Sequence, residues 1–245
     1  MYIFIHNIQR AYIKLLKILS NTYYKHKHYL KASPNDVYGR FESDEINESY
    51  DYFKKHFYTS IFVSDDKIRE YSIKKSLELN KNLDQNNEIF YLEFGVHKGI
   101  SINYFSKYVE KIHGFDSFRG LSEDWLGFYR SQGAYNLNGK APFLKKNVEI
   151  HVGLVQETLD PFLNLQNPQI GFVHMDLDTY PSTKFVLERL KPFLLKNSII
   201  LFDQLYNYSG WKNGELKALE EVFEVDDYEY LAFSKDGKRV CVKIF

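Results

Sequence analysis

The spacing of hydrophobic and polar positions changes near residue 88. Before that point apolar residues recur at helical spacing, as they do from Ile68 to Leu77 after a polar helix start. This part predicts helices and loops without the buried strands of a sheet. Beyond it, short apolar runs alternate with helical stretches. The pattern therefore predicts a helical extension at 1–87, which forms a lid or oligomer contacts, and an α/β domain at 88–245.

Apolar runs of strand length recur through the second part. They lie at 89–92, 112–115, 148–152, 170–175 and 199–202, and helical patterns lie at 102–109, 157–165, 183–195 and 215–223. Strands that are apolar nearly throughout and alternate with helices indicate a parallel sheet covered on both faces. Two further strand-like runs, 228–233 and 239–245, flank Asp236-Gly237, which is a hairpin signal. The predicted fold is a Rossmann-like α/β domain whose mostly parallel sheet closes with a C-terminal antiparallel hairpin.

Composition narrows the function classes. The formal net charge of the 245 residues is zero, which disfavours a nucleic-acid partner. Hydrophobic residues make up 44% of the chain, enough for a full core. The single cysteine, Cys241, excludes an internal disulfide and a cysteine-built metal site. A reduced buried thiol suits a cytoplasmic protein.

The first 19 residues form an amphipathic helical pattern with Arg10, Lys14 and Lys17 between the apolar positions. Their longest apolar run is too short to span a bilayer, and no signal-peptide cleavage pattern is present. A basic amphipathic helix can lie on a membrane surface. We favour instead a helix packed on the domain or on a second subunit, and a homodimer over a monomer.

A glycine-containing turn follows the first predicted strand. Gly95 and Gly99 are four residues apart and follow Glu93, so the turn departs from the G-x-G-x-x-G pattern of dinucleotide sites. Asp116 ends the second strand 21 residues beyond Gly95, near the spacing at which an acid reaches ribose hydroxyls. S-adenosylmethionine carries ribose but no phosphate, so these residues predict that cofactor, with Glu93 near its ammonium group. Gly153 and residues 154–158 are expected near the adenine.

Three carboxylates follow the fourth and fifth strands. Asp176 and Asp178 are two apart and project to the same side of an extended segment, and Asp203 ends the next strand. Neighbouring strands lie about 5 Å apart, so the three side chains are expected to converge. Their mutual repulsion calls for a bound cation or a raised pKa. Either arrangement suits removal of a proton from a hydroxyl nucleophile.

Four motifs together resemble the macrocin O-methyltransferase family, whose members methylate sugar hydroxyls in macrolide and aminocoumarin biosynthesis. They are Glu93-Phe94-Gly95-Val96 with Gly99 and Ser101, Gly114-Phe115-Asp116-Ser117-Phe118 with Gly120-Leu121, His174-Met175-Asp176-Leu177-Asp178-Thr179-Tyr180 with Ser182-Thr183, and Phe202-Asp203-Gln204 with Asn207-Tyr208 and Trp211. The resemblance covers residues 87–223. It implies a class I S-adenosylmethionine-dependent methyltransferase fold and often a magnesium ion.

The resemblance also assigns roles to residues. It implies cofactor contacts at Glu93, Gly95, Gly99, Ser101, Asp116, Ser117 and Asp176. It implies that Asp178 is the general base and that Asp176, Asp203 and Gln204 hold the metal. The family usually carries a second acid where this chain has Gln204. A glutamine coordinates only through its neutral carbonyl oxygen, so the metal requirement is an open question.

The acceptor is expected to bind near aromatic residues. The segment 122–146 is long for a strand-to-helix connection and includes Trp125, Phe128, Tyr129 and Tyr135, which predicts an acceptor lid or a loop packed on the core. Tyr208 and Trp211 are candidate substrate contacts. His174 is expected to be a satisfied core residue, and His97 a loop residue near the cofactor.

The leading hypothesis is an S-adenosylmethionine-dependent O-methyltransferase acting on a sugar or a glycosylated metabolite, with a surface-glycan precursor as one acceptor. One alternative is a protein of the same fold that binds S-adenosylmethionine but has lost catalysis, for which Gln204 is the hint. The other is a nucleotide-dependent sugar oxidoreductase or epimerase. It ranks lowest because the chain lacks G-x-G-x-x-G and a Tyr-x-x-x-Lys pair after the fourth strand.

Overall fold

A mixed β-sheet organises the chain. The structure is a computed structural model that describes residues 36–82, 88–127, 130–235 and 237–245. Within these ranges the helices and strands are α1 Val37–Phe53, β1 Ile61–Val63, α2 Ile68–Asn80, β2 Ile89–Phe94, α3 Ile100–Phe105, β3 Ile112–Asp116, β4 Val148–Val152, α4 Val155–Gln166, β5 Gln169–Met175, α5 Tyr180–Leu190, β6 Leu194–Phe202, α6 Glu215–Val222, β7 Tyr228–Ser234 and β8 Val240–Ile244. Short 3-10 turns lie at Lys191–Phe193, Trp211–Asn213 and Val225–Asp227.

The strand order in the sheet is β1-β7-β8-β6-β5-β2-β3-β4. Strand β8 runs antiparallel to both of its neighbours, and the other pairings are parallel. The predicted Rossmann-like fold with a closing antiparallel hairpin is confirmed. Asp236 of the predicted hairpin turn lies outside the described residues.

Apolar side chains on both faces of the sheet explain why its central strands are apolar throughout. Successive residues of a strand point to opposite faces. Phe172 of β5 therefore joins one buried cluster, which includes Ile68 of α2, and Val173 joins another, which includes Phe162 of α4. Burial of both faces is the ordinary state of a parallel sheet.

The N-terminal part contributes more to the sheet than its pattern predicts. Strand β1 pairs in parallel with β7 at the sheet edge, and α2 packs against β6 and β5. Because Ile61 and Phe62 are about half exposed, no buried apolar run indicates this strand. The chain from Glu45 to Phe245 forms one compact unit. The unit before it is described from residue 36, and the predicted helix of the first 19 residues lies outside the described residues.

One helix ends earlier than its pattern predicts. The apolar spacing predicts a helix at 183–195, but α5 ends at Leu190 and β6 begins at Leu194. Pro192 has no N–H to donate to the carbonyl of Glu188, so the helix passes into a 3-10 turn.

No helix among the described residues has both the length and the apolar character needed to cross a membrane.

Two histidines pair across β3 and β4, and neither belongs to the turn after β2. The Nδ1 atom of His113 lies 3.2 Å from Nε2 of His151, and both rings pack against Phe162. Burial lowers the pKa of His113 to about 4 and also lowers the pKa of His151, although the nearby Glu149 carboxylate opposes both shifts. The pair is therefore neutral at pH 7.

Candidate functional site

A cleft of about 280 Å³ opens at the carboxyl ends of the central parallel strands. In doubly wound sheets this edge is where ligands bind. Its lining residues come from the turns after β2, β3, β4, β5 and β6. They are Gly95, His97, Phe115, Asp116, Ser117, Gly120, Leu121, Ser122, Tyr135, Gly153, Leu154, Val155, Gln156, Asp176, Leu177, Asp178, Thr179, Ser182, Asp203 and Gln204.

The turn after β2 is set by Gly95. Its φ is +86°, and a Cβ at this position would lie 1.8 Å from the backbone carbonyl oxygen of Asp176. A side chain is therefore excluded by both the dihedral angle and the contact. The amide of Gly95 donates to the carbonyl of Phe115 at 3.0 Å, which ties the turn to β3. The absence of a side chain lets β2 and β5 approach closely beneath the cleft.

Asp116, the last residue of β3, has both carboxylate oxygens fixed by backbone amides. Its Oδ2 accepts from the N–H of His97 at 2.7 Å, and its Oδ1 accepts from the N–H of Phe118 at 2.6 Å. Each carboxylate oxygen can accept a further hydrogen bond. Asp116 thus fastens the β2 and β3 turns to each other while it lines the cleft, and Ser117 beside it lines the same wall.

Three of the predicted cofactor residues are not among the described lining residues. Glu93 is fully buried, with Oε1 accepting from the Ser101 hydroxyl at 2.9 Å and Oε2 lying 3.1 Å from Nδ1 of His174. Gly99 has a φ of +74° and caps α3, and a Cβ there would meet the side chain of Leu144 at 2.8 Å. The structure therefore gives these residues a supporting position within the fold, without direct exposure to the cleft.

Asp176 and Asp178 line the cleft after β5. Burial, followed by the negative charge of Asp203, raises the pKa of Asp178 to about 8. The same two causes, together with Asp178 itself, raise the pKa of Asp176 well above its usual value. Asp178 has a φ of +64°, in the left-handed region that aspartate and asparagine tolerate best among residues with a side chain. The turn thus presents two weakly acidic carboxyl groups.

Glu215 is a further buried acid that sequence reasoning missed. It begins α6 and is fully buried, and its Oε2 accepts from the backbone N–H of Gln204 at 3.0 Å. Burial raises its pKa well above the usual value, with the charges of Asp176, Asp178 and Asp203 acting in the same direction. This hydrogen bond, which the Gln204 N–H donates to Glu215, fixes the backbone at Gln204.

Asp203 differs from the other acids because it has cationic partners. Its Oδ1 accepts from Nη2 of Arg69 at 3.1 Å and from Nε of Arg239 at 2.5 Å. Its Oδ2 accepts from Nε2 of Gln204 at 2.6 Å. Burial alone raises its pKa, but the contact with His174 and the charges of His174, Arg239 and Arg69 outweigh burial and lower it. Asp203 is therefore ionised.

His174 connects two of these acids inside the sheet. It is fully buried, with Nδ1 3.1 Å from Glu93 and Nε2 3.5 Å from Asp203. Burial alone lowers its pKa, but the two carboxylates outweigh burial and raise it. His174 thus lies in the core, where Nδ1 pairs with Glu93 and Nε2 makes only the longer ion-pair contact with Asp203. His97 lines the cleft.

The predicted metal ligands come together, but one of them, Asp203, is already bound by cationic side chains that compete with a magnesium ion. Magnesium requires oxygen ligands at about 2.0–2.1 Å in near-octahedral geometry. Of the three predicted ligands, Asp203 already accepts from two arginines and an amide. Side-chain atoms of His174, Asp176 and Asp203 lie within 4.8 Å of one another, yet both nitrogens of His174 face carboxylates. The Oε1 atom of Gln204 is buried without a partner, so it is the available neutral donor of the set.

Tyr208 and Trp211 occupy the core, whereas the sequence placed them beside the acceptor pocket. They are 3% and 2% exposed, and neither is among the described lining residues. Trp211 packs on Phe53, and Tyr208 on Trp125. Burial of large aromatic surfaces stabilises the fold, which explains their position.

The segment 122–146 divides between the core and the cleft. Trp125 is buried, and Tyr135 lines the cleft beside the His97 ring at 5.4 Å. Phe128 and Tyr129 lie outside the described residues. Of the described aromatic residues predicted to face an acceptor, Tyr135 has the matching position.

The region that contains this cleft matches a known protein family. Residues 92–205, from β2 to just beyond β6, match the family model described as "Methyltransferase domain". The chain contains a methyltransferase domain. All the turns that line the cleft belong to the matched region. No curated protein matches the chain.

The solved structure of CalS11 supports the fold of this chain. CalS11, described as a calicheamicin methyltransferase, is 20% identical, with 91% of each chain covered and a TM-score of 0.57. A structure of CalS11 without ligand, described as a TDP-rhamnose 3'-O-methyltransferase, is 21% identical over 80% of this chain and 93% of that one, with a TM-score of 0.48. The O-methyltransferase NovP is 17% identical over 73% of this chain and 79% of that one, with a TM-score of 0.49.

Proposed function

We propose that the methyltransferase is an S-adenosylmethionine-dependent O-methyltransferase that acts on a hydroxyl group of a sugar-containing small molecule. The observation that carries the proposal is the convergence of Asp116 and Asp178 on one cleft inside the matched domain. Asp116 offers carboxylate oxygens suited to ribose hydroxyls. Asp178 offers a carboxyl group suited to accept a proton.

The cofactor side of the proposal rests on the turns after β2 and β3. Gly95 allows the backbone to approach a ligand without a side chain between them, and Asp116 is held in place by two amides. Ser117 and Gly153 line the same cleft. Glu93, Gly99 and Ser101 support this wall from behind through the Glu93–Ser101 hydrogen bond and the start of α3.

In the proposed reaction Asp178 accepts a proton from the acceptor hydroxyl group. The acceptor oxygen forms a bond to the methyl carbon, the bond between that carbon and sulfur breaks, and its electron pair stays on sulfur. The hydroxyl proton passes to the Asp178 carboxylate. A carboxylate whose pKa is raised to about 8 takes up a proton near neutral pH far more readily than an ordinary surface carboxylate.

The sugar class of the acceptor is supported by Tyr135 and by Gln204. An aromatic ring at the cleft offers a flat face for a sugar ring, and the free Oε1 atom of Gln204 can accept a hydrogen bond from a sugar hydroxyl. CalS11 carries a description that names a sugar nucleotide as its substrate, which agrees with this class. A surface-glycan precursor is one such acceptor.

Calorimetric titration tests the cofactor. S-adenosylhomocysteine is expected to bind with one-site stoichiometry, and NAD is expected to give no saturable heat. Asp116→Ala should weaken S-adenosylhomocysteine binding, whereas Asp160→Ala, at an exposed carboxylate of α4, should leave it unchanged. If NAD binds and S-adenosylhomocysteine does not, the oxidoreductase hypothesis replaces this one.

Mass spectrometry tests the reaction. The protein is incubated with S-adenosylmethionine and a panel of nucleotide sugars, and a product heavier by one methylene is expected for at least one sugar. Cofactor binding without transfer to any sugar, phenol or carboxylate acceptor would favour a protein that has lost catalysis.

A further inference from the structure

Two arginine side chains of this chain neutralise the charge of Asp203. Arg69 comes from α2, and Arg239 directly precedes β8, so the two reach Asp203 from distant parts of the sequence. Arg239 also pairs with the carboxylate of Asp65, and it is mostly buried. Asp203 itself is 6% exposed. The arginine pair, meaning Arg69 and Arg239, is thus fixed within the fold.

A divalent ion on Asp203 would lie very close to these guanidinium groups. Nε of Arg239 is 2.5 Å from Oδ1 of Asp203, and a magnesium ion would be about 2.1 Å from the same carboxylate. Unlike charges attract and like charges repel strongly at such distances in a buried site. The Asp203 carboxylate therefore cannot bind a magnesium ion closely while it keeps its ion pairs with the two arginines.

The arginine pair also determines how Gln204 is presented. Since Asp203 is held by the arginines, its Oδ2 is in a fixed position to accept from Nε2 of Gln204 at 2.6 Å. Glu215 holds the backbone N–H of the same residue. The Gln204 side chain is therefore anchored by its nitrogen, and its buried oxygen has no partner among the described residues.

We propose that Arg69 and Arg239 take the place of a divalent cation at this site, so that the methyltransferase binds its ligands and transfers the methyl group without a metal ion. The inference rests on the proposed function and adds a role for residues outside the matched region. Asp203 and the arginine pair are positioning residues, because they act through Gln204 and through the charge balance around Asp178.

Metal titration of the 245-residue protein tests this directly. MgCl₂ and MnCl₂ are titrated separately into chelator-treated protein, by calorimetry and by thermal unfolding, with and without S-adenosylhomocysteine. We expect no saturable heat and no metal-dependent shift in Tm, and the affinity for S-adenosylhomocysteine should be the same before and after chelation. Saturable binding of either metal, or a loss of affinity on chelation that the metal restores, would overturn the inference.

Removal of one guanidinium gives a second test. Arg239→Met removes one of the two guanidinium groups that pair with Asp203 and leaves Arg69 in place, and a Tm increase on addition of MgCl₂ is expected in this variant. Arg189→Met is the matched control, because Arg189 pairs with Asp160 on the surface. If Arg239→Met folds and responds to metal no more than the control does, the guanidinium does not stand in the place of a cation. If it does not fold, the titration of the unaltered protein decides.

These outcomes are separate from a failure of the proposed function. The titrations report metal binding whether or not a methyl group is transferred. Lack of S-adenosylhomocysteine binding together with lack of metal binding would reject the proposed function and leave the arginine pair as the cation at the site.

Discussion

Asp178 and Asp203 are both buried carboxyl groups at the same edge of the sheet, yet their pKa values shift in opposite directions. Asp178 has burial and a neighbouring anion, which raise its pKa to about 8. Asp203 has two arginines and His174, which lower its pKa despite its burial. The difference separates a group that exchanges a proton from a group that keeps its charge.

Replacement of Asp178 by asparagine should separate binding from catalysis. Asparagine keeps the shape of the side chain and tolerates the positive φ, but it cannot accept the proton. Methyl transfer should fall by about 100-fold or more. Calorimetry should show that S-adenosylhomocysteine still binds. Asp160→Asn serves as the control, and equal activity in the two variants would remove Asp178 as the base.

His113 makes folding stability depend on pH. Its folded-state pKa of about 4 lies below the ordinary value of 6.5, so protons bind the unfolded state more readily. Stability from this group is therefore complete above pH 6.5 and is lost as the pH falls toward 4. The neighbouring charged groups are Glu149 and Lys111, and His151 is the hydrogen-bonding partner.

Urea unfolding at several pH values tests this contribution. Relative to His113→Gln, the unaltered protein should lose up to about 3 kcal/mol of unfolding free energy between pH 6.5 and pH 4. The comparison with the variant removes the effects of titrating groups that do not interact with His113. Parallel pH profiles in the two proteins would contradict the assignment.

At the scale of elements, the parallel strands and the turns after them were predictable. Gly95, Asp116, Asp178 and Gln204 were predicted and all line the cleft, because parallel strands end at a common edge. Strand β1 could not be predicted, since its short segment is half exposed and carries no buried pattern.

The charged partners in the site could not be predicted for a different reason. Arg69 is 134 residues from Asp203 in the sequence, and Arg239 is 36 residues from it. Their pairing follows from the packing of α2 and the last hairpin onto the sheet, which no local pattern reports. Tyr208 and Trp211 were placed at the cleft by their proximity to Asp203 in sequence, but both side chains are buried against other aromatic residues.

Phe53 should be a major source of stability for α1. It ends this helix, is fully buried, and packs edge-on against Tyr206, Tyr230 and Phe233. Phe53→Ala should lower the unfolding free energy by about 3–5 kcal/mol, because it leaves a cavity among aromatic rings. Urea unfolding measures this loss. Tyr58→Ala, at a side chain that is 91% exposed, should have little effect, and similar losses in the two variants would contradict the prediction.

At the scale of the whole molecule, the site depends on residues from both ends of the unit that begins at Glu45. Asp65 and Arg69 precede β2, and Arg239 lies beyond β7. Helix α2 covers one face of β5 and β6, with Ile68 and Ile73 buried there. The matched region 92–205 therefore lacks some of the residues that hold the site in place.

A chain restricted to residues 88–245 is expected not to fold. It would lack β1 and α2, so the edge of β7 and the apolar face beneath α2 would be open to water. Circular dichroism during urea titration should show no cooperative transition, in contrast to the full chain. A cooperative transition in the shorter chain would instead support the division at 87/88.

The position of Arg239 near the end of the sequence affects when the site is completed during synthesis. Arg239 follows every other residue of the site along the chain, and a chain folds during synthesis from its N-terminal side. The strands that form the cleft are available earlier, while Asp203 still lacks one of its two guanidinium partners. The cleft therefore acquires its final charge only when the β7–β8 hairpin has joined the sheet, so completion of the fold and readiness of the site coincide.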